Sequence, residues 1–430
     1  MNSSIFALAS APGRAGVAVV RVSGPLAGAC IQALAGPVPT PRRAVLRRLV
    51  HRGSEIDRAL LLWFAGPHSF TGEDVVEFHI HGGRAVREAL FAALSDLGLR
   101  PAEPGEFSRR AVENGKLDLT RAEAIADLVD AETPAQLRQA LRQHDGVLAD
   151  LYEGWRTQLI AALGRAEAAI DFSDDEVGEA EFGAARRAAA AMYQQIQEHM
   201  DDSGRGESLR EGLRLTILGP PNAGKSSLIN ALARRDVAIV SDTPGTTRDV
   251  VEVRLSLGGY LLQVADTAGV RETAEPIEAE GVRRALAHAS GGMTLLLLDG
   301  AAENPRAGLP AALPEPDLTV WNKADLGFTR KGLSISLKTG EGVSELLKML
   351  QQKVQHKLEG DAPALTRSRH RHALQEAAAA LQHGLAAPQD HPELLAEDLR
   401  LAMRAIGRIT GRVDVEELLD FVFRDFCIGK

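Results

Sequence analysis

The stretch Gly219-Pro220-Pro221-Asn222-Ala223-Gly224-Lys225-Ser226 has the form G-x-x-x-x-G-K-S and decides the fold of the central part of the chain. An alternating apolar stretch at 213–218 favours a strand before it, and residues 227–233 favour a helix after it. A strand, this loop and a helix are the context in which the motif binds phosphate through loop N–H groups and the helix N-terminus. Lys225 is therefore expected to reach the β- and γ-phosphates, and Ser226 to ligate Mg²⁺.

Two further motifs follow strands and favour GTP over ATP. In Asp266-Thr267-Ala268-Gly269, the aspartate can hold Mg²⁺ through water and the glycine N–H can meet the γ-phosphate. In Asn322-Lys323-Ala324-Asp325, the last carboxylate can accept two hydrogen bonds from the guanine N1–H and N2 amino groups. Adenine lacks this donor pair, and each unmade bond to a charged acceptor costs roughly tenfold to a hundredfold in affinity. Ser336-Leu337-Lys338 stands where a backbone contact to the guanine oxygen is expected, with leucine in place of the commoner alanine.

The segment between these motifs predicts how the site closes over the phosphates. In Asp242-Thr243-Pro244-Gly245-Thr246-Thr247-Arg248-Asp249, Thr247 is predicted to complete the Mg²⁺ shell. Val270 occupies the position at which many small GTPases carry a glutamine that orients water, so another group must do this work. The candidate carboxylates are Glu272, Glu275, Glu278 and Glu280. For any one of them, a solvated acidic face is the alternative interpretation.

Length and composition bound the class of protein. A chain of 430 residues with 45% hydrophobic residues predicts two to four domains with sizeable cores. No stretch approaches the ~20 apolar residues of a membrane span, and no secretory signal is evident. The two cysteines, Cys30 and Cys427, cannot build a disulfide framework, which favours a cytoplasmic location. A net charge of −9 argues against a globally basic nucleic-acid surface and leaves room for a local basic patch.

The pattern along the chain predicts several domains. Strands are predicted at 5–9, 17–23, 59–64 and 75–81, within a mixed α+β segment. Strands alternate with helices from 213 to 355, and helical sequence lies on both sides, which predicts a helical domain interrupted by an α/β insertion. The predicted domains are 1–118, 119–210, 211–358 and 359–430.

Local signals predict where the helices begin and end. Thr120-Arg121-Ala122-Glu123 has the form of a capping box, and Thr133-Pro134 predicts the start of a second helix. The acidic stretch 171–181 is predicted to be a solvated loop and 201–206 a linker. A final apolar stripe predicts helix packing in a core. It comprises Val415, Leu418, Leu419, Val422, Phe423 and Phe426.

Two groups of basic residues leave alternatives open. His79 and His81 share one strand face, so they are either a metal-binding pair or part of a hydrogen-bonded polar face. The run of Arg367, Arg369, His370, Arg371 and His372 could contact tRNA phosphates or form a solvated helix face.

The motifs together carry a family resemblance. The set Gly-x-Pro-Asn-Ala-Gly-Lys-Ser-Ser, Pro-Gly-Thr-Thr-Arg-Asp, Asp-Thr-Ala-Gly and Asn-Lys-Ala-Asp resembles the TrmE–Era group of GTPases. Further stretches narrow this resemblance to the MnmE (TrmE) family of tRNA-modification GTPases, along the whole chain. They are Pro12-Gly13-Arg14-Ala15-Gly16-Val17 with Arg21-Val22-Ser23-Gly24, Ser69-Phe70-Thr71-Gly72-Glu73-Asp74 with His81-Gly82-Gly83, Pro104-Gly105-Glu106-Phe107, Asn114-Gly115-Lys116-Leu117-Asp118-Leu119, and Phe426-Cys427-Ile428-Gly429-Lys430.

The resemblance implies a fold and a function. The fold is an α+β folate-binding N-terminal domain, a helical domain, and a P-loop Ras-like G domain inserted into the helical domain. The family forms a homodimer through its N-terminal domains and works with a flavoprotein of the GidA (MnmG) family, which uses FAD and NADH, in a heterotetramer. Together they add a carboxymethylaminomethyl or aminomethyl group to C5 of the wobble uridine of certain tRNAs, with 5-formyl- or methylene-tetrahydrofolate as the one-carbon source. A ribosome-assembly or RNA-binding switch of the same GTPase group is the alternative.

The resemblance also assigns residue roles. Arg21, Glu77, Lys116 and Lys430 match folate-contacting positions. Asn222 matches the asparagine that binds K⁺ beside the phosphates, completed by Ser241, Thr243 and Thr246. Glu278 matches the glutamate that orients the attacking water, and Cys427 the cysteine needed for tRNA modification; a buried thiol is the alternative for Cys427. The residues predicted to contact GTP are Asn222, Ala223, Gly224, Lys225, Ser226, Ser227, Ser241, Asp242, Thr243, Pro244, Gly245, Thr246, Thr247, Asp266, Thr267, Ala268, Gly269, Asn322, Lys323, Asp325, Ser336, Leu337 and Lys338.

Overall fold

The structure is a computed structural model that forms two compact units. It describes residues 3–172, 176–202, 204–235, 237–239, 253–265, 292–309, 313–360, 365–388 and 391–413, and, beyond these, 419, 422–423, 426 and 429. The first unit comprises Met1–Ala126, His144–Gly154 and Ile406–Lys430, and the second comprises Asp127–Gln143 and Trp155–Ala405. No helix among the described residues has both the length and the apolar character needed to cross a bilayer.

The first unit is built on a six-stranded sheet. Its strands are β1 (Ile5–Leu8), β2 (Ala18–Ser23), β3 (Val45–His51), β4 (Ser54–Phe64), β5 (Val75–Ile80) and β6 (Arg100–Pro101), in the order β3-β4-β5-β2-β1-β6. Helices α1 (Ala27–Ala35) and α2 (Arg84–Asp96) bury Ile31 and Leu90 in the same core as Phe6 and Phe78. The four predicted strands are confirmed. Strand β3 was not predicted, because arginines occupy the middle of its sequence and mask the alternation.

Two further helices follow the sheet in the sequence, and the second of them ends in the second unit. They are α3 (Glu106–Glu113) and α4 (Leu119–Asp130). The prediction that Thr120 caps α4 is wrong, because Asp118 Oδ1 accepts the Arg121 N–H at 3.0 Å and the helix already begins at Leu119. Aspartate caps a helix at least as well as threonine. Because Asp118 precedes Thr120, the helix begins at Leu119 and Thr120 lies inside its first turn.

The predicted apolar stripe near the end of the sequence is confirmed in part. Leu419, Phe423 and Phe426 are buried and pack with Leu119 and Ala122 of α4 in one cluster. Val415 and Leu418 lie outside the described residues. Gly105 lies so close to this cluster that a β-carbon there would meet Phe423 and Phe426 at 2.9 Å, and its φ is +66°. The glycine in Pro104-Gly105-Glu106-Phe107 is therefore required by the packing.

Long helices form one part of the second unit. In chain order they are α5 (Pro134–His144), α6 (Val147–Asp171), which begins in the first unit, α7 (Glu176–Met200) and α8 (Arg205–Glu211). The start of α5 is confirmed: the Gln136 N–H donates to Thr133 Oγ1 at 3.4 Å, and the Thr133 N–H donates to Gln136 Oε1 at 3.0 Å. The loop at 171–181 and the linker at 201–206 are wrong in part, because α7 and α8 begin inside them. Acidic residues in the first turn suit the positive end of a helix, so they do not exclude one.

The other part of the second unit is a seven-stranded α/β sheet. Its strands are β7 (Leu213–Leu218), β8 (Ala238–Ile239), β9 (Val253–Leu257), β10 (Tyr260–Ala265), β11 (Met293–Asp299), β12 (Leu318–Asn322) and β13 (Leu333–Ser334), in the order β13-β12-β11-β7-β10-β9-β8. Strands β7 and β10–β13 are parallel, and β8 and β9 are antiparallel to their neighbours. Helices α9 (Lys225–Ala233) and α10 (Val343–Leu358) bury Leu228 and Leu350 against it. The predicted parallel α/β pattern is confirmed.

Helices from either side of this sheet in the sequence pack together. The later pair is α11 (Ser368–Ala386) and α12 (Pro392–Thr410). Arg186 of α7 donates to the carbonyl oxygens of Leu385 at 2.6 Å and Ala387 at 3.0 Å, at the end of α11. The α/β sheet is thus inserted between helices that form one body.

The basic run at the start of α11 is largely structural. Arg371 donates to Asp202 Oδ1 at 2.7 Å and to the Met200 carbonyl at 2.8 Å, while Arg367 donates to Asp127 Oδ1 at 2.7 Å. His370 is fully buried. Burial removes His370 from any outer face of this run, whereas His372 is exposed and Arg369 partly so. Whether the run contacts tRNA stays a prediction.

Candidate functional site

Backbone geometry requires glycine at two positions of the phosphate-binding loop and favours asparagine at a third. A β-carbon at Gly219 would meet the Leu297 carbonyl oxygen at 2.2 Å, and one at Gly224 would meet Asn322 Nδ2 at 2.5 Å. Asn222 has a left-handed backbone with φ +61°, a conformation that asparagine tolerates better than most residues. The two glycines let the loop lie directly against β11 and β12, and Asn222 stands at its exposed outer bend.

Helix α9 begins at Lys225, so its first-turn N–H groups face the loop. Lys225 Nζ donates to the carbonyl oxygens of Gly219 at 2.8 Å and Pro220 at 3.0 Å, which lays its charge across the loop. Ser226 and Ser227, in the same turn, are exposed. A cation, the first-turn N–H groups of a helix and exposed hydroxyls together suit a polyphosphate with a bound metal ion.

Asn322 joins this loop to the base-binding segments. Its side chain is 4% exposed. Its Nδ2 donates to the Ala223 carbonyl at 2.8 Å, and its Oδ1 accepts the Leu337 N–H at 3.3 Å. One buried amide therefore fixes the phosphate loop and the Ser336-Leu337-Lys338 loop relative to each other.

Asp325 is exposed, and a hydrogen bond from Ser336 orients its carboxylate. Its Oδ1 accepts the hydroxyl of the buried Ser336 at 2.7 Å, and this hydrogen bond lowers the pKa of Asp325 below the ordinary value for aspartate. Lys323 has φ +69° and donates to Asp299 Oδ2 at 2.6 Å, which fixes the turn that carries Asp325. Lys338 is exposed beside this turn. The carboxylate is thus ionised and oriented to accept hydrogen bonds from a base.

Several predicted residues lie outside the described residues. They are Ser241, Asp242, Thr243, Pro244, Gly245, Thr246, Thr247, Asp266, Thr267, Ala268, Gly269, Glu278, Cys427 and Lys430.

A second polar site lies on the sheet of the first unit. Arg21 of β2 and Glu77 of β5 face each other in register, and Glu77 Oε1 accepts from Arg21 Nη2 at 2.9 Å and Nε at 3.1 Å. The rings of Phe70 and Phe107 lie 5.6 and 5.8 Å from Arg21 Cζ. The pair is about one-fifth exposed, so an open ion pair is held among aromatic rings.

Lys116 approaches the same part of the first unit. A β-carbon at Gly72 would lie 3.2 Å from Lys116 Cε, so the lysine stem passes over the Ser69–Asp74 loop, and its ammonium group is exposed. The structure thus brings three of the four predicted folate residues, Arg21, Glu77 and Lys116, to β2, β5 and the loop that leads into β5.

Sequence reasoning missed the residues that hold this site together. Arg110 of α3 donates to both oxygens of Glu73, at 3.0 and 3.2 Å, and to Glu106 Oε1 at 2.8 Å. Glu73 Oε2 also accepts the hydroxyl of Ser23, which follows Arg21 on the same strand face. Burial opposes ionisation of Glu106, but hydrogen bonds led by that from Arg100 lower its pKa. No sequence signal marks this network beyond the polar stretch that contains Glu73.

His79 and His81 belong to a polar face. His81 Nδ1 contacts Asp57 Oδ1 at 2.7 Å, and His79 Nε2 lies 3.4 Å from Glu77 Oε2. Within the described part of the chain, no group of three histidine, cysteine or acidic residues could hold a metal ion. His81 therefore belongs to a hydrogen-bonded polar face, whereas His79 Nε2 is buried near Glu77 without a hydrogen bond to any described residue.

A parallel α/β sheet, a glycine-shaped phosphate loop and an oriented aspartate beside it define a P-loop GTPase. Two family models match the chain: "MnmE helical domain" at residues 119–427 and "GTP-binding protein TrmE N-terminus" at residues 4–116. The chain belongs to the MnmE family of tRNA-modification GTPases, and it is a GTP hydrolase of that family.

Curated relatives match the chain along its whole length. The tRNA modification GTPase MnmE of Rhodospirillum rubrum is 55% identical over 99% of this chain and 99% of its own. The protein of the same name from Paramagnetospirillum magneticum is 54% identical over 100% of both chains. Among solved structures, the G domain of the T. maritima FeoB iron transporter is 23% identical over 34% of this chain and 99% of its own, with a TM-score of 0.24.

Proposed function

We propose that this protein couples K⁺-activated GTP hydrolysis to addition of a carboxymethylaminomethyl or aminomethyl group at C5 of the wobble uridine of certain tRNAs. The observation that carries the proposal is the presence of two distinct polar sites in one family member. One is a phosphate loop with an oriented aspartate for guanine, and the other is the Arg21–Glu77 pair among aromatic rings. Two sites of different chemistry fit an enzyme that binds both a nucleotide and a second cofactor.

The chemistry of the phosphate loop fits two cations. Ser226 presents an exposed hydroxyl in the first turn of α9, as a Mg²⁺ ligand requires, and Thr247 is the second proposed ligand. Asn222 presents its amide at the exposed bend of the loop and is proposed to bind K⁺ with Ser241, Thr243 and Thr246. When bound, K⁺ supplies positive charge beside the β- and γ-phosphates, where other GTPases use an arginine. Glu278 is proposed to orient the attacking water in place of the missing glutamine at Val270.

The Arg21–Glu77 pair supports a tetrahydrofolate site. Glu77 uses Oε1 for Arg21, which leaves its carboxylate able to accept hydrogen bonds from a donor-rich pterin ring. Arg21 and the exposed Lys116 suit the carboxylates of the folate glutamate, and Phe70 provides a partly exposed aromatic ring, whereas Phe107 is fully buried. Lys430 is proposed as the fourth folate residue. The one-carbon unit of 5-formyl- or methylene-tetrahydrofolate would enter the reaction here.

The proposal extends to partners and location. We propose a cytoplasmic homodimer that works with a flavoprotein of the GidA (MnmG) family, which carries FAD and uses NADH, in a heterotetramer with tRNA as substrate. Cys427 follows the buried Phe426 in sequence and is proposed to act in the modification and not in GTP hydrolysis.

The first test is the cation dependence of GTP turnover. The purified protein should hydrolyse GTP markedly faster in KCl than in NaCl at equal ionic strength, and Asn222→Ala should reduce this difference. Glu278→Ala should lower turnover while GTP affinity stays the same, with Glu315→Ala, an exposed glutamate, as the control. Equal rates in both salts would contradict the role of Asn222.

The second test is the modification itself. Nucleosides of tRNA from a strain that lacks the gene should show loss of the C5 group on the wobble uridine, and the wild-type gene should restore it. Cys427→Ser should fail to restore it while the purified variant keeps its GTP turnover. Unchanged wobble uridines in the deletion strain would favour a ribosome-assembly role instead.

A further inference from the structure

The α4–α5 turn, Glu132 to Gln136, contacts the β9–β10 hairpin at two points and helix α8 at a third. Glu132 Oε1 accepts from Arg254 Nη1 of β9 at 2.7 Å. The Ala135 N–H donates to the Gly259 carbonyl at 3.0 Å, at the tip of the β9–β10 hairpin. Gln136 Nε2 donates to the Arg210 carbonyl at 2.8 Å, just before β7. Two of the three contacts are made by one hairpin.

This hairpin has a distinctive place in the sequence. Strand β9 begins shortly after the Asp242–Asp249 motif, and β10 ends directly before Asp266. The two strands pair continuously from Val253↔Val264 to Leu257↔Tyr260, so the hairpin is a single ladder. Both motifs are predicted to meet the γ-phosphate and Mg²⁺. A change of nucleotide at those motifs would therefore act on the open end of one hydrogen-bonded hairpin, opposite its tip.

The turn on the other side of these contacts is also held firmly. Gln136 Oε1 accepts the N–H groups of Glu132 and Thr133, both at 3.0 Å, so the side chain that contacts Arg210 also closes the turn. The hairpin tip lies against Pro134, whose ring carbons would be 3.8 to 3.9 Å from a β-carbon on Gly259. Because the turn is closed by its own hydrogen bonds, a displacement of the hairpin should move the whole turn with it.

The same helices hold the chain where it leaves the α/β part. Thr366 Oγ1 donates to Gln143 Oε1 of α5 at 3.0 Å, and Thr366 O accepts from Arg210 Nε at 2.8 Å. Arg367 donates to Asp127 of α4 at 2.7 Å. An inserted domain joined only by its two connecting segments can rotate about them, and a third attachment point removes that freedom. The hairpin supplies this third point.

We infer that Arg254 and Glu132 are positioning residues that transmit the nucleotide state of the phosphate site to helices α4 and α5. The inference rests on the proposed coupling of GTP hydrolysis to tRNA modification and names the contact through which that coupling passes. The pair suits this role because its side chains are 32% and 26% exposed. A partly exposed ion pair orients the hairpin relative to the turn, and its loss lowers the free energy of unfolding only slightly. Loss of the pair should therefore uncouple the two activities without unfolding the protein.

The first experiment measures hydrogen exchange at residues 127–143 in the full-length protein, with GDP and with a non-hydrolysable GTP analogue. In the wild type, exchange of this segment should differ between the two nucleotides. Arg254→Glu and Glu132→Arg should each reduce that difference at least about fivefold, the lower end of ordinary coupling between sites. The double reversal, Arg254→Glu with Glu132→Arg, should restore most of it. Arg254→Gln, the milder variant, should lie between.

The matched control is Lys348→Glu, which reverses one member of the exposed Lys348–Glu345 pair on α10, 3.7 Å apart. It should leave the nucleotide-dependent difference as in the wild type. The inference is overturned if the wild type shows no difference at 127–143, if both single reversals keep the full difference, or if the double reversal stays as defective as the single ones.

The second experiment separates this inference from the proposed function. GTP turnover of Arg254→Glu should stay within about twofold of wild type, because an exposed ion pair contributes little by itself. In the deletion strain, Arg254→Glu should lower wobble-uridine modification at least about fivefold. If exchange behaves as expected but the wild-type gene does not restore the nucleoside, the proposed function fails and the coupling contact stands. If modification is normal in Arg254→Glu, the contact is not the route of coupling.

Discussion

The nucleotide site and the Arg21–Glu77 site both present a carboxylate to a ligand, but they hold it in opposite ways. Asp325 is exposed on a turn, and one neutral hydroxyl, that of Ser336, orients it. Glu77 lies within a sheet, is paired with the cation Arg21, and is supported by strands on both sides. A carboxylate held by a hydroxyl keeps its full charge for the ligand. A carboxylate held by a cation offers less charge but a more rigid geometry.

The largest effect should come from the exposed carboxylate. Asp325→Asn removes the acceptor for two guanine donors, so GTP affinity should fall by about a hundredfold or more. Xanthosine triphosphate, which has an oxygen where guanine has its amino group, should bind the variant better than the wild type. Isothermal titration with both nucleotides measures this, and Glu315→Gln provides an exposed acidic control. Retention of GTP affinity by Asp325→Asn would remove the basis for guanine selection at this turn.

The next largest effect should come from the paired carboxylate. Glu77→Gln keeps the shape but removes the charge that faces a pterin, so affinity for 5-formyl-tetrahydrofolate should fall about tenfold. GTP turnover should not change. Glu55→Gln on the neighbouring strand β4 is the control, because Glu55 is exposed and paired with Arg58. An unchanged folate affinity in Glu77→Gln would place the folate elsewhere.

A smaller effect should come from the hydroxyl that orients Asp325. Ser336→Ala should weaken GTP binding by a few-fold, about the worth of one neutral hydrogen bond. The hydrogen bond from Ser336 lowers the pKa of Asp325, so its loss should raise that pKa. The acid limb of GTP binding, which lies below the ordinary aspartate pKa in the wild type, should therefore move to higher pH in Ser336→Ala. A titration of GTP affinity against pH measures the shift, and a shift to lower pH would contradict the assignment.

The smallest effect should come from the rings around Arg21. Phe70→Leu keeps apolar volume but removes one of the two aromatic contacts, each worth about 0.5–1 kcal/mol at an exposed site. Folate affinity should fall about two- to fivefold, less than in Glu77→Gln. Phe91→Leu, which changes a ring that packs on Phe6 instead, should leave folate affinity unchanged. A larger loss in Phe70→Leu than in Glu77→Gln would reverse the order of the two interactions.

The two sites also differ in how much of them the sequence could predict. The phosphate loop, Asn322 and Asp325 lie in short contiguous motifs at or directly after the ends of strands β7 and β12. Arg21 and Glu77 are far apart in sequence and meet only because β2 pairs with β5. No local pattern could therefore predict their pairing, and only the family resemblance indicated a role for them. No role was predicted for Arg110 or Glu73, although Glu73 lies in the Ser69–Asp74 stretch that carries the family resemblance.

The fold shows the same limit. Strands with clear alternation, such as β2 and β5, were predicted nearly to their ends. The start of α4 was predicted to within one residue, but its capping residue was not, because Asp118 and Thr120 can both cap a helix and the choice depends on backbone geometry. His370 is fully buried although it lies within a run of basic residues, and no local pattern expresses that burial.

The cluster of Leu119 and Ala122 with Phe423 and Phe426 can form only late in synthesis, because its two parts lie far apart in the sequence. The ribosome makes helix α4 long before it makes Phe423, and the entire α/β sheet emerges in between. During that interval the apolar face of α4 has no native partner, and closing the cluster requires a very long loop, which is slow. A nascent chain that stalled before Phe423 would therefore carry an exposed apolar helix face, a feature that chaperones and proteases recognise.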